Sequence, residues 1–257
     1  DAFKVKIDAT LSNVTIPGVV EGMTLSGGPL ALKVGDGAFS VSGNGKLDGR
    51  DIILNWHEYF DSTGQPYAAQ VKAKIIADQA LRHKFGVMLD EYMTGTVAAD
   101  VTYTEFSNDT SSLEMTGDLN TLMLHIKPFQ FEKPAGVAGK ISLKGKLEKG
   151  ELKRIEDLNL ETTGLSVRAA ELSFGPLNGK ATELLSGKLP NAVIGKTSVA
   201  ANFEVTPQNI LKVSATGPQF DAGPFMNADK TKKPDAPAET KPPQQPMMIS
   251  LSADKIL

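Results

Sequence analysis

Apolar and polar residues alternate with a period of two along most of the chain. Near the start, Phe3, Val5 and Ile7 alternate with Lys4 and Lys6. Successive side chains of a β-strand point to opposite faces, so this spacing predicts a strand with one buried face. The same alternation recurs at Phe39/Val41, Ile52/Leu54/Trp56, Val71/Ala73/Ile75, Val97/Ala99/Val101, Leu113/Met115, Leu122/Leu124/Ile126, Ile141/Leu143, Leu158/Leu160, Leu165/Val167, Leu172/Phe174, Val199/Ala201/Phe203/Val205, Leu211/Val213 and Ile249/Leu251.

Short glycine-containing turns, such as Asp48-Gly49 and Lys149-Gly150, separate these segments. Turns of this length favour antiparallel hairpins, because a parallel crossover needs a dozen or more residues. Helical patterns are scarce. Asp78 is a plausible N-cap for a helix near 78–91, and residues 180–189 are a weaker helix candidate. We therefore expect an all-β fold with minor α: one long, curved, mostly antiparallel sheet with one or two short helices.

The segment 226–246 differs from the rest of the chain. Its part 227–246 holds five of the 15 prolines and no Val, Ile, Leu or aromatic residue. Such a composition predicts a flexible linker. We expect a β-groove segment over 1–225, the linker over 226–246, and a further strand of the same array beginning at 247–257. The chain starts at Asp1 without Met or a signal peptide and stops at Leu257 inside an apolar alternation, so we interpret it as a piece of a longer protein. It contains no apolar run long enough for a membrane helix.

Composition and charge exclude several function classes. The 27 basic and 30 acidic residues give a net charge of −3, which makes nucleic acid an unexpected partner. The absence of cysteine excludes disulfides and thiolate chemistry. His57, His83 and His125 are far apart in sequence, and no phosphate-binding loop or nucleophile motif is present. We expect no catalytic residues, no metal, no cofactor and no enzymatic activity.

The predicted apolar face is the largest chemical feature of the chain. About 14 strands would form a sheet on the order of 65 Å long, with far more apolar surface than a soluble monomer leaves exposed. Two structures remain open: a closed sandwich core, or a groove for an apolar ligand. Only 16 residues are aromatic (11 Phe, four Tyr and one Trp), so the lining is mainly aliphatic and suits alkyl chains. The candidate groove-lining residues are Ile52, Leu54, Trp56, Val71, Ala73, Ile75, Val97, Ala99, Val101, Leu122, Leu124, Ile126, Ile141, Leu143, Val199, Ala201, Phe203, Val205, Leu211 and Val213.

The stretch from 117 to 175 contains a series of distinctive motifs: Gly117-Asp118-Leu119, Leu122-x-Leu124, Phe131-Glu132-Lys133-Pro134-Ala135-Gly136, Ile155-Glu156-Asp157-Leu158 and Gly164-Leu165-Ser166-Val167-Arg168. Together these motifs resemble the AsmA-like family of Gram-negative envelope proteins, nearest to its YhdP type, with TamB a more distant relative. Weaker similarities extend over nearly the whole chain. Phe131 stands where the family often has Trp, and the family's N-terminal membrane helix is missing. The resemblance implies a periplasmic part of an inner-membrane-anchored protein, in which an apolar groove conducts phospholipids between the two membranes.

The expected function is therefore a periplasmic lipid-binding and lipid-transfer module with phospholipid or another acyl lipid as its ligand. Membrane contact would come from segments outside this chain, and envelope protein partners are possible. The alternative is a structural or assembly-factor module that templates outer-membrane protein strands through an exposed sheet edge. A carbohydrate-active or adhesive domain would need a cleft with aromatic residues and paired carboxylates, which the sequence does not supply.

Overall fold

The expected all-β architecture is confirmed. The computed structural model describes residues 5–20, 22–85, 87–177, 180–226 and 246–257. They form one long, curved and mostly antiparallel sheet that is not closed into a barrel, together with a second sheet of three strands and two short helices.

The described elements have the following bounds. The strands are β1 (Ile7–Leu11), β2 (Val14–Val20), β3 (Met23–Gly27), β4 (Leu30–Gly35), β5 (Ala38–Leu47), β6 (Arg50–Tyr59), β7 (Ala69–Ala77), β8 (Met93–Gly95), β9 (Val97–Glu105), β10 (Thr110–Asp118), β11 (Leu122–Ile126), β12 (Phe131–Lys133), β13 (Gly139–Glu148), β14 (Glu151–Thr162), β15 (Leu165–Leu177), β16 (Lys180–Ile194), β17 (Thr197–Val205), β18 (Leu211–Phe220) and β19 (Met247–Ile256). The helices are α1 (Gln79–Lys84) and α2 (Gly223–Met226), and a single 3₁₀ turn spans Lys127–Phe129.

The main path of the long sheet runs β1-β4-β5-β6-β7-β9-β10-β13-β14-β15-β16-β17-β18-β19, with the β2–β3 hairpin attached through β3 to β5. Neighbouring strands on this path are antiparallel except β18 and β19, which are parallel. The strand β19 lies in the same sheet, beside β18. The linker predicted over 226–246 falls almost entirely on 227–245, outside the described residues.

The two helix predictions need correction. The N-cap is right, since Asp78 accepts a hydrogen bond from the backbone N–H of Leu81 at 2.8 Å, but α1 ends at Lys84 instead of continuing to 91. The backbone N–H of Phe85 donates to the carbonyl oxygens of Leu81 and Arg82 and closes the last turn of the helix. The segment 180–189 is wrong as a helix because it forms most of β16, whose backbone pairs with β15 on one side and β17 on the other. Pairing on both sides outweighs a weak local helical pattern.

The connections make the two ends of the long sheet different. At one end, here called the turn end, the chain reverses through the short segments 36–37, 60–68, 106–109, 149–150 and 206–210. At the other, the insertion end, it makes four long excursions: β2 and β3 between β1 and β4, α1 and β8 between β7 and β9, β11 and β12 between β10 and β13, and α2 after β18. The small sheet, β12-β11-β8, is thus built wholly from insertion-end connections.

Two buried clusters hold these excursions against the sheet. The first packs Leu81 of α1 against Ile52 and Leu54 of β6. The second packs Leu122 and Leu124 of the small sheet against Val97 and Ala99 of β9 and Leu165 of β15. Leu122 is 1% exposed. The insertion end of the apolar face is therefore a packed core.

Candidate functional site

One row of side chains crosses every strand of the main path on the apolar face. Each member lies opposite the next in the register of the paired strands. We call this row the apolar rung; its members are Ala9, Leu32, Val41, Trp56, Val71, Tyr103, Leu113, Gly145, Ile155, Leu172, Gly187, Phe203, Val213 and Ile249. At the usual strand spacing the rung is about 60 Å long. It contains no charged residue.

The next position along each strand gives a row of opposite character on the other face. This polar rung consists of Asp8, Lys33, Ser40, His57, Gln70, Thr104, Ser112, Lys146, Arg154, Ser173, Ser186, Glu204, Lys212 and Met248. Only Met248, in the edge strand, is apolar. The sheet therefore separates an apolar face from a polar face over its whole length, as strand alternation requires.

Glycines in the rung are covered by their neighbours. A Cβ atom added to Gly187 would lie 2.4 Å from the ring of Phe203 on the adjacent strand. The ring thus occupies the space above this glycine, and the rung stays apolar where the sequence itself shows no apolar residue. A larger residue at 187 would displace Phe203.

The structure divides the predicted lining residues into two groups. Those on the long sheet alternate on its apolar face as expected: Ile52, Leu54, Trp56, Val71, Ala73, Ile75, Val97, Ala99, Val101, Ile141, Leu143, Val199, Ala201, Phe203, Val205, Leu211 and Val213. The other three, Leu122, Leu124 and Ile126, lie on β11 of the small sheet and pack down onto the long sheet. They cover the apolar face instead of extending it.

Part of the apolar face belongs to neither buried cluster. We call it the open tract; it contains Leu113, Leu143, Leu147, Leu152, Ile155, Leu172, Phe203, Val205, Leu211 and Val213. All of these side chains are half-buried. The open tract runs from β10 to β18 and lies toward the turn end. It is a region of the described chain where an apolar ligand could contact the sheet directly.

Two solvent-open hollows, of about 1150 and 820 Å³, lie elsewhere. Most of their lining residues, such as Lys74, Asp100 and Thr116, occupy strand positions that face the polar side of the sheet. The Lys74 ammonium is 2.6 Å from the Asp100 carboxylate, so the charges there are paired. The open tract is thus a surface strip, and neither hollow is an enclosed apolar channel.

Polar contacts hold the small sheet and α1 in place at the insertion end. The Lys133 side chain is 1% exposed, and its Nζ donates to the carbonyl oxygens of Leu119 at 2.6 Å and Leu122 at 2.7 Å. Burial lowers the pKa of Lys133, and the nearby Asp118 carboxylate opposes that shift. At the N-cap of α1, the Arg50 guanidinium donates a hydrogen bond to the Asp78 carboxylate at 2.9 Å. This hydrogen bond is the main reason that the pKa of Asp78 is lowered.

Aromatic contacts hold the excursion that contains α2. The Phe225 ring of α2 packs edge-on against Phe129 at 5.4 Å and stacks on Phe220 at 5.5 Å. We call these three residues the aromatic clasp. It joins the end of the small sheet to the end of β18.

The three histidines lie apart, as the sequence predicts. The imidazole of His83 contacts Asp90 at 2.6 Å, while His57 contacts the Tyr67 hydroxyl and His125 approaches Glu132. Within the described ranges, no group of three or more His, Asp or Glu side chains is placed to hold a metal ion. Across the same ranges, no helix is both long enough and apolar enough to cross a membrane.

Several members of the rung are missing from the sequence-predicted set. Leu113 and Leu172 carry the alternation signal and could have been included. Ile155 is harder to place, because the strand pairing is irregular between it and Leu158, where Asp157 has a left-handed φ of 53°. Gly145 and Gly187 show no hydrophobic signal at all, and only the register of neighbouring strands places them in the rung.

Comparison with protein families, with curated proteins and with solved structures found no match for this chain.

Proposed function

We propose that this protein binds the acyl chains of phospholipids on the open tract, as a periplasmic module of a lipid-transfer conduit of the AsmA-like type. The observation that carries the proposal is the uninterrupted apolar rung across all strands of the main path. A ligand lying along it would meet no charged side chain at any strand. Burial of alkyl surface, worth roughly 25 cal/mol per Å², would supply the affinity without covalent chemistry.

The covered insertion end supports an open strip over a closed sandwich. A sandwich needs a second layer over the whole apolar face, whereas the small sheet, α1 and α2 all originate at one end. The half-buried open-tract residues have no such layer among the described residues. An amphipathic lipid satisfies this arrangement, since its chains take the apolar strip and its head group stays in water.

The test uses two adjacent residues of β18 that lie on opposite faces. Val213 is a half-buried member of the rung outside both buried clusters, and Ser214 is exposed on the polar face. The chain is incubated with vesicles of phosphatidylethanolamine and phosphatidylglycerol, repurified, and analysed by native mass spectrometry and lipid extraction. We expect the wild type and Ser214→Asp to retain phospholipid, and Val213→Asp to retain at least about tenfold less, because its carboxylate would meet the alkyl chains. A lipid-free wild type, or equal retention by the two variants, would overturn the proposal.

One observation favours the second candidate, a module that templates strands of other proteins. In the described chain β19 pairs only with β18, and it exposes Met247, Ile249 and Ile256 by more than half. An exposed edge of this kind can accept an additional strand. Photocrosslinkers on β19 would then capture unfolded outer-membrane protein, while crosslinkers at Val213 would capture none. Lipid adducts at Val213 with no protein adducts on β19 would exclude this candidate.

A further inference from the structure

One strand that crosses the open tract has no side chain in the apolar rung. Along the rung, β15 contributes Leu172, β17 contributes Phe203 and β18 contributes Val213. In the same row β16 contributes Gly187. The strands on either side of β16 lie about 10 Å apart, twice the usual strand spacing. The row of side chains would be interrupted over this distance unless a neighbour covered Gly187.

The Phe203 ring provides this cover. Gly187 and Phe203 stand directly opposite each other in the register of β16 and β17. A Cβ atom added to Gly187 would lie 2.6 Å from Cζ of the Phe203 ring and 2.7 Å from Cδ2 of Leu172. These two side chains, which come from the strands on either side, thus occupy the volume that a side chain of β16 would take. Gly187 is buried beneath them.

The ring is also accessible to a ligand. Phe203 is half-buried and belongs to neither buried cluster, and the same is true of Leu172 and Val213. The covered part of the ring lies over Gly187, so its exposed part is surface of the open tract. An alkyl chain that follows the rung from β15 to β18 would therefore lie on this ring.

The other glycine of the rung needs no comparable cover. A Cβ atom added to Gly145 would lie 3.4 Å from Leu113 and 3.4 Å from Leu152, which is ordinary contact distance. Aliphatic side chains therefore flank Gly145 closely on both sides, and an added methyl group would fit there. The space above Gly187, in contrast, is already filled by a side chain from another strand.

The position of the ring affects how long a ligand can be. An alkyl chain gains affinity only where it contacts atoms of the protein. With the Phe203 ring in place, the rung offers apolar atoms from β10 to β18, over six strand intervals or about 29 Å. Without the ring, the continuous part would end at β15, after three intervals or about 14 Å. A long chain would lose contacts beyond that point, whereas a short chain would not.

We propose that Phe203 determines the length of acyl chain that the open tract binds, because its ring connects β15 to β17 above Gly187. This inference rests on the proposed function, since it concerns the same surface and the same ligand. It adds a preference for long acyl chains and assigns that preference to one side chain.

The test measures the affinity of lysophosphatidylglycerols with lauroyl, myristoyl and palmitoyl chains by isothermal titration calorimetry, below their micelle concentrations. For the wild type we expect the affinity to rise roughly twofold for each added methylene, which corresponds to burying about half of it. For Phe203→Ala we expect the lauroyl lipid to bind within about twofold of its wild-type affinity, and the palmitoyl lipid to bind at most about twofold more tightly than that. Phe203 lies outside both buried clusters, so this variant leaves them intact.

A second variant moves the cover from β17 to β16. Gly187→Leu alone should destabilise the protein, because its Cβ would collide with the ring. In the double variant Gly187→Leu/Phe203→Ala, the leucine takes the space that the ring leaves, so the rise in affinity with chain length should return. Phe106→Ala, which removes a ring from the turn between β9 and β10, is the matched control and should keep the wild-type dependence. Circular dichroism verifies that the compared variants are folded.

The outcomes separate this inference from the proposed function. The same rise with chain length in the wild type and in Phe203→Ala would overturn the role of Phe203 and leave acyl-chain binding intact. An equal loss of affinity for all three lipids, without recovery in the double variant, would also overturn it, since a connecting side chain affects long chains selectively. Failure of the wild type to bind any of the three lipids would overturn both proposals.

Discussion

The insertion end and the turn end of the long sheet are built from the same strands, yet they differ in how far their apolar surfaces are buried by other elements. At the insertion end, Val97 and Ala99 are less than a tenth exposed beneath Leu122 and Leu124 of the small sheet. Toward the turn end, open-tract residues such as Leu211 are only half-buried. Alternation along each strand is continuous from one end to the other. The difference arises from the connections, because only the long excursions contain enough chain to fold back over the face.

The two ends therefore have different consequences for binding and for stability. Substitution of a covering residue at the insertion end should mainly change the free energy of unfolding. Substitution in the open tract should mainly change ligand affinity. The following predictions test this separation, beginning with the largest expected effect.

We expect Leu122→Asp to destabilise the protein by more than about 4 kcal/mol, because it places an unpaired carboxylate in the second buried cluster. Leu211→Asp, in the open tract, is the matched variant and should cost about 1 kcal/mol. Urea unfolding followed by circular dichroism measures both. Equal destabilisation would show that the turn end is packed as tightly as the insertion end.

Lys133→Met should cost about 2–4 kcal/mol. The substitution keeps the apolar stem but leaves the buried carbonyl oxygens of Leu119 and Leu122 without their donor. Lys140→Met, on an exposed position of β13, should stay within about 0.5 kcal/mol of the wild type. Similar midpoints for the two variants in urea would contradict the role of Lys133 as a fastener of the small sheet.

Lys133 also predicts a dependence of stability on pH. Its pKa in the folded state lies below the ordinary value of 10.5 because of burial, so the unfolded chain binds the proton more tightly. The contribution of this group to stability should therefore rise as the pH increases from the folded pKa toward 10.5. Burial raises the pKa of Tyr67, which acts in the opposite direction above about pH 10. Comparing wild type with Lys133→Met at each pH cancels the tyrosine, and a constant difference between them would contradict this prediction.

Asp78→Ala should cost about 1–2 kcal/mol, because it removes the N-cap of α1 together with the Arg50 contact. The pKa of Asp78 is lowered in the folded state, so its contribution is present above pH 3.8 and is lost as the pH falls through the folded pKa. The gap between wild type and variant should consequently shrink in acid. Asp51→Ala, which removes an 88% exposed carboxylate, is the control and should have little effect at any pH.

Phe225→Ala should produce the smallest change, about 0.5–1.5 kcal/mol, by opening the aromatic clasp. Amide hydrogen exchange should accelerate at residues 127–130, while the core of the small sheet remains protected. Met226→Ala, at a side chain that is 74% exposed, should leave exchange unchanged. Equal exchange in the wild type and both variants would mean that the aromatic clasp does not hold the end of the small sheet in place.

Much of the fold could be predicted from local pattern. The strands around Ile52 and Val213 follow directly from alternation, and Asp78 was recognisable as a cap because the chemistry of an N-cap is local. The length of α1 and the strand at 180–189 could not be predicted in the same way. In both cases the outcome depends on which backbone groups find partners elsewhere in the chain.

The candidate site shows the same division. Alternation identified Trp56, Val71 and Phe203 as residues of one face. It could not distinguish them from Leu122 and Leu124, which have the same spacing but belong to the sheet that covers that face.

The sequence by itself determined the period of the strands, the identity of the two faces and the absence of cysteine chemistry, because these follow from single residues and their immediate spacing. The tertiary structure decided which apolar residues became core and which stayed half-exposed. Cross-strand register and the length of each connection settle those questions. Both depend on pairings between distant segments, which a period-two pattern leaves unspecified.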